Sequence, residues 1–165
     1  MSIDLSVIFA ASGAPTFPSH PAPPVGWTQS WPTGSAYIGS DREPQDFDYV
    51  EFVHAEDKER HESVLLGTGW DLCGSAEYGQ DDSLPWAAYR RGDWNVILCW
   101  CPLAYLRWIA FTELARRCCF TSKMERIELC KAILEGNAEA AMNIVHLSNF
   151  NTVAGNIMQE FLNEH

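Results

Sequence analysis

Basic side chains are scarce in this chain. Eleven Lys and Arg stand against 22 Asp and Glu, a net charge of −11 over 165 residues. That balance excludes nucleic-acid binding through bulk electrostatics. Long apolar runs are missing too, since no stretch approaches the ~20 residues that a membrane-spanning helix needs. Residues 1–12 carry Asp4 and no basic flank, which makes a poor signal peptide, so a cytoplasmic protein with no membrane partner is expected. There is no Gly-rich loop ending in Lys and no Gly-x-Ser-x-Gly turn, which removes P-loop phosphate binding and the nucleophile elbow of α/β-hydrolases. Cysteines paired at zinc-ligand spacing, with matching partners, are also lacking. Cys73, Cys99, Cys101, Cys118, Cys119 and Cys130 therefore read as reduced, mostly buried thiols rather than as a disulfide framework.

Apolar residues make up 47% of the chain and charged residues only 20%, enough to bury one real core. The charge is unevenly spread. Residues 41–82 hold thirteen acidic and three basic side chains, whereas residues 89–131 hold eight basic and four acidic. The acidic stretch is suited to occupying a partner's nucleic-acid-binding groove, and the basic one to meeting an anion.

The pattern along the chain divides it in three. Residues 1–35 read as a Pro-rich arm, with Pro15, Pro18, Pro21, Pro23, Pro24 and Pro32 opposing both helix and ladder structure. Residues 36–101 read as an α+β core, with strands over 36–39, 47–53, 70–73, 86–90 and 94–100 and an exposed helix over 55–66 ended by Gly67-Thr-Gly69. Val96-Ile-Leu-Cys-Trp100 is continuously apolar, as a strand covered on both faces would be. Residues 102–165 switch to helical spacing. Pro102 sits at a favoured first position, Ser122-Lys-Met-Glu125 forms a capping-box pattern, and two further helices are expected over 137–147 and 152–162. The fold expected is thus α+β: a small mixed sheet followed by a helical C-terminal half.

The chemistry concentrates in Ala36-Tyr-Ile-Gly-Ser-Asp-Arg-Glu-Pro-Gln-Asp-Phe-Asp-Tyr-Val-Glu-Phe52. Side chains alternate along a strand, so Asp46 and Asp48 share a face. Two neighbouring carboxylates repel unless a cation or a proton lies between them. Asp46 and Asp48 are therefore candidate ligands for Mg²⁺, and Gly39 and Ser40 a candidate phosphate cradle. An apolar strand ending in Gly-Ser, followed by Asp-x-Asp opening the next strand, resembles the DNA-polymerase-β-like nucleotidyltransferase superfamily. The resemblance covers about residues 36–100. It implies nucleotide phosphates at Gly39 and Ser40, Mg²⁺ at Asp46 and Asp48, and a third carboxylate on a later strand. It also implies transfer of NMP by paired cations that neutralise the attacking and leaving oxygens.

Two departures bear on activity. The family usually places a longer turn, often with the start of a helix, between Gly-Ser and Asp-x-Asp, whereas five residues lie here. The later strand reads Asp93-Trp-Asn95, with a neutral amide where a carboxylate is wanted and Asp93 as the substitute. Arg90, in the basic half, is a candidate contact for an anionic substrate. Residues 89–135 also look like small phage proteins of this layout. The missing third carboxylate, the acidic 41–82 segment and the small size favour a non-enzymatic alternative, an acidic binding protein such as a phage-encoded inhibitor of a host enzyme or defence system. His54 and His61 lie two helical turns apart and form, with Glu62, a weaker metal candidate.

Overall fold

The computed structural model describes residues 30–40, 43–73 and 84–148. In chain order they form β1 (Ser30–Thr33), α1 (Gly34–Ile38), β2 (Phe47–Phe52), a 3-10 turn (Ala55–Asp57), α2 (Lys58–Gly67), β3 (Asp71–Cys73), β4 (Trp86–Arg91), β5 (Trp94–Cys99), α3 (Pro102–Arg117) and α4 (Lys123–Glu135). A further helix, α5, is described over 138–148. The readings over 5–11, 14–29 and 152–162 lie outside the described residues.

The five strands make one mixed sheet in the order β1-β2-β5-β4-β3, so the fold is α+β. β2 and β5 run parallel and the other neighbours antiparallel. β4 and β5 form a hairpin closed by Gly92, whose φ of 59° is left-handed as a tight two-residue turn requires. β5 is central and apolar on both faces. Val96 and Leu98 join Val53, Leu65, Trp70 and Tyr89 beneath α2. Ile97 and Cys99 join Val50, Trp86, Trp108, Phe111 and Leu129 beneath α3, α4 and α5. Alternation along each strand thus fills two cores, one on each side of the sheet.

Several boundaries differ from the expected ones. The strand expected over 36–39 is helical: α1 occupies 34–38, and the strand lies just before it, at Ser30–Thr33. The Pro-rich stretch therefore does enter the ladder. Pro32 is tolerated because β1 is an edge strand, where a missing N–H costs no ladder bond on the open side. The capping box is not formed through its hydroxyl, since Ser122 precedes α4 without a side-chain cap. Of the six thiols, Cys99 and Cys130 are buried, Cys73, Cys101 and Cys118 half-buried, and Cys119 exposed, so fewer are core than the sequence suggests.

Candidate functional site

Register pairing places one polar row across the whole sheet. Thr33 lies opposite Asp48, Asp48 opposite Asn95, Asn95 opposite Arg90 and Arg90 opposite Asp71. Residues directly opposite share a face. This row lies on the face covered by the C-terminal helices, one step beyond the apolar Val50 and Ile97, at the N-terminal ends of parallel strands β2 and β5.

Asn95 is the centre of the cluster. Its amide Nδ2 donates to Asp46 Oδ2 and to Asp48 Oδ1, both at 2.9 Å. One amide thus uses both hydrogens to bind together the two carboxylates that Asp-x-Asp spacing set side by side. Burial pushes the Asp48 carboxyl up to about 7, and the charge of Asp46 adds to the rise; the Asn95 hydrogen bond, Arg90 and Arg126 oppose it. Crowding of a second carboxylate raises the cost of charging Asp48, and a bound cation would lower it.

Gly34 closes the cluster from the β1–α1 side. Its φ is 69°, and a Cβ built there would lie 1.8 Å from Asp48 Oδ2. Only a residue without a side chain lets the turn come this close. Thr33 is fixed beside it by a buried hydroxyl pair with Thr112 of α3 at 2.6 Å. α3 also holds α1, because Tyr37 donates to Glu113 at 2.9 Å and receives a hydrogen bond from Arg116 at 2.7 Å.

Arg126 of α4 is 7% exposed and donates through Nη1 to the carbonyls of Gly39, Phe120 and Thr121. It ties the end of α1 to the start of α4 and puts a buried cation near Asp48. Arg126 is one of the basic residues of 89–131 that sequence offers as facing the two carboxylates, whereas Gly34 is not a site residue that sequence singles out. The signal for Gly34 was present: Gly34-Ser35 repeats the dipeptide of Gly39-Ser40, and ten residues rather than five separate it from Asp46.

The other sequence candidates fall as follows. Gly39 and Ser40 follow the C-terminal end of α1, where Gly39 N–H bonds back to Ser35 O at 3.1 Å and Gly39 O accepts from Arg126. Arg90 is exposed at the side of Asn95, its Nε donating to Gly92 O at 3.1 Å. Asp93 is exposed in the β4–β5 turn, and its carbonyl, not its carboxylate, meets the Phe47 N–H at 2.8 Å. His54 is exposed with its ring against Phe52, and Glu62 accepts from Tyr89 at 2.7 Å. Among the described residues no group of three or more His, Cys, Asp or Glu is arranged to hold a metal ion.

The donors gathered at the cluster are two carboxylates and one amide. Asp46 and Asp48 offer carboxylate oxygens, and a half-turn of the Asn95 amide exchanges its nitrogen for an oxygen ligand. Among the described residues no helix is long and apolar enough to cross a membrane. No family model, no curated protein and no solved structure matches this chain.

Proposed function

We propose that this is a nucleotidyltransferase-like protein that binds a nucleoside triphosphate with one Mg²⁺ at Asp46 and Asp48. The observation that carries the reading is the Asn95 amide drawn between two carboxylates at 2.9 Å from each, a geometry that a cation can take over. The turn at Gly34-Ser35 supports it as well. It follows a strand, opens a helix, and stands ten residues before Asp46, which is the longer spacing that the resemblance calls for. On this reading the phosphates would lie beside Ser35 rather than at Gly39-Ser40, because the Asp48 carboxylate already packs against Gly34. Arg90, exposed on the same face, is the group to meet the outermost phosphate.

When bound, Mg²⁺ would shield the phosphate charge. The chain's own part is to hold the cation with Asp46 and Asp48 and to keep both carboxylates aligned through Asn95. Among the described residues no third carboxylate joins Asp46 and Asp48 as NMP transfer by paired cations would need, and Asp93 is exposed in the β4–β5 turn. Binding without transfer is therefore the expected behaviour.

Calorimetric titration with ATP, GTP, CTP and UTP, with and without Mg²⁺, tests this. Mg²⁺-dependent binding should be lost in Asp46→Asn/Asp48→Asn with the fold retained, and Asn95→Asp should tighten Mg²⁺. Absence of binding by every nucleotide would end the reading.

A second reading rests on a different surface. Val64 and Leu66 on α2 are 49% and 54% exposed and Leu72 on β3 is 60% exposed, within the acidic 41–82 segment, where Glu56 and Glu59 are exposed too. Apolar residues bared along an acidic segment suit a protein partner with a basic, nucleic-acid-binding groove, as an inhibitor of a host enzyme would require. Charge reversal at Glu56 and Glu59 should abolish such binding and leave the Mg²⁺ response unchanged.

A further inference from the structure

α3 ends in a turn whose backbone is fully specified. Cys118 N–H bonds to Leu114 O at 3.0 Å, Cys119 N–H to Arg116 O at 3.2 Å, and Phe120 N–H to Ala115 O at 2.9 Å. This is the Schellman pattern, in which one residue just past the helix adopts the left-handed conformation, a place usually filled by Gly. Here that residue is Cys119, with φ 54°, the one non-glycine residue of positive φ among those described. The Cβ makes the conformation costly, and nothing in the packing offsets the cost, since Cys119 is exposed. Gly136, at the matching place after α4, shows the residue that backbone geometry alone would select. A strained, exposed residue with no packing contribution is best explained by its chemistry.

That chemistry is a pair of adjacent thiols. Cys118, half-buried at the helix cap, precedes Cys119, and the exposed Arg116 and Arg117 precede both. The other buried thiols, Cys99 and Cys130, are sealed in the core. We propose that Cys118 and Cys119 form a reversible redox site whose substrate is a small anionic disulfide of the glutathione type, for which the exposed Arg117, next to the pair in sequence, is the attracting charge.

The exposed Cys119 thiolate attacks one sulfur of the small disulfide, forming a mixed disulfide and releasing one thiolate. The Cys118 thiolate then attacks Cys119 Sγ, forming the Cys118–Cys119 disulfide and releasing the second thiolate. The protein gives up two electrons and two thiol protons, and the small disulfide is reduced to two thiols. Neighbouring Cα atoms lie about 3.8 Å apart, shorter than the spacing most disulfides adopt, so the product is strained and easily reduced. Such a bond switches with the thiol pool rather than serving as a permanent staple. The turn also has a structural lever: the carbonyls of Phe120 and Thr121, directly after the pair, anchor Arg126, which reaches Gly39 beside the carboxylate cluster.

Trypsin tests this directly, because cleavage after Arg117 and Lys123 releases a peptide holding these two cysteines and no other. The reduced, folded protein is equilibrated with graded ratios of oxidised to reduced glutathione, trapped with N-ethylmaleimide under acidic denaturing conditions, digested and weighed. The expected result is an unalkylated peptide lighter by two hydrogens, while the Cys99 and Cys130 peptides remain fully alkylated. Returning the sample to excess reduced glutathione should restore the doubly alkylated form. Cys119→Gly keeps the turn in its preferred conformation and should yield no light peptide. A peptide that stays doubly alkylated at every ratio, or that stops at a glutathione adduct, overturns the proposal. So does a light peptide that forms as readily from denatured protein.

Discussion

Glu51 shows how little a residue's type says about its place. It is 3% exposed on β2, where its carboxyl accepts a hydrogen bond from Ser30 directly opposite. Burial pushes it up to about 7 from an ordinary 4.5, against the pull of the Ser30 bond. Below pH 4.5 the folded and unfolded chains both carry the proton. Between 4.5 and 7 the unfolded chain releases it while the folded chain retains it, so the unfolded state binds fewer protons and stability falls as pH rises. A shift of that size corresponds to about 3 kcal/mol, fully expressed above pH 7. Asp48 contributes with the same sign, so the wild type alone does not separate the two. Glu51→Gln does: denaturant unfolding at pH 4.5, 6 and 8 should show a variant that loses less stability across the range and exceeds the wild type at pH 8. Parallel pH curves for the two proteins would refute the assignment. In the sequence Glu51 is one more acidic residue of the 41–82 stretch, on the strand face opposite Asp46 and Asp48. Its burial depends on β1 pairing over it, and β1 was hidden in a proline-rich stretch.

At the scale of elements, legibility followed length and period. β2, β4 and β5 announced themselves by β-branched and aromatic runs, and α3 and α4 by helical spacing, Pro102 and the left-handed Gly136. α1 did not, because five residues with Tyr37 and Ile38 buried look as much like a strand end as a helix, and only packing against α3 decides. The candidate site was legible in the same uneven way. Asp46 and Asp48 were visible from alternation, and Asn95 from its place on the later strand. Gly34 was not, and Arg126 was only one of several basic candidates, since their roles depend on contacts far apart in sequence. Gly34 gives the sharpest test of this arrangement. A Cβ there meets the Asp48 carboxylate at 1.8 Å and also inherits a φ of 69°. Gly34→Ala should cost about 2–4 kcal/mol, combining left-handed strain with overpacking. Gly39→Ala faces open space at φ 112° and should show backbone strain alone. Equal denaturation midpoints for the two variants would mean that the β1–α1 turn is not seated on Asp48.

Across the whole molecule, the charge layout and the fold act against each other. Thirteen acidic side chains fall between residues 41 and 82, and the sheet gathers two of them, Asp46 and Asp48, at one amide. Local pairs relieve part of the repulsion: Arg60 meets Asp57 at 2.9 Å and Lys58 meets Glu62 at 3.7 Å, both on the surface, where such pairs contribute little. The rest is self-repulsion at a net charge of −11, which salt screens as the Debye length falls from about 30 Å at 0.01 M to about 3 Å at 1 M. Thermal midpoints should therefore rise with NaCl in the wild type and in Asp46→Asn/Asp48→Asn alike. A cation seated at the cluster adds a separate contribution, about 2.7 kcal/mol at a hundred times its dissociation constant, because it binds the folded state alone. At matched ionic strength MgCl₂ should then raise the wild-type midpoint above its NaCl value, while the double variant shows one curve for both salts. Coincident curves in the wild type would leave only screening, and the carboxylate cluster would be a structural knot tied by Asn95 rather than a cation site.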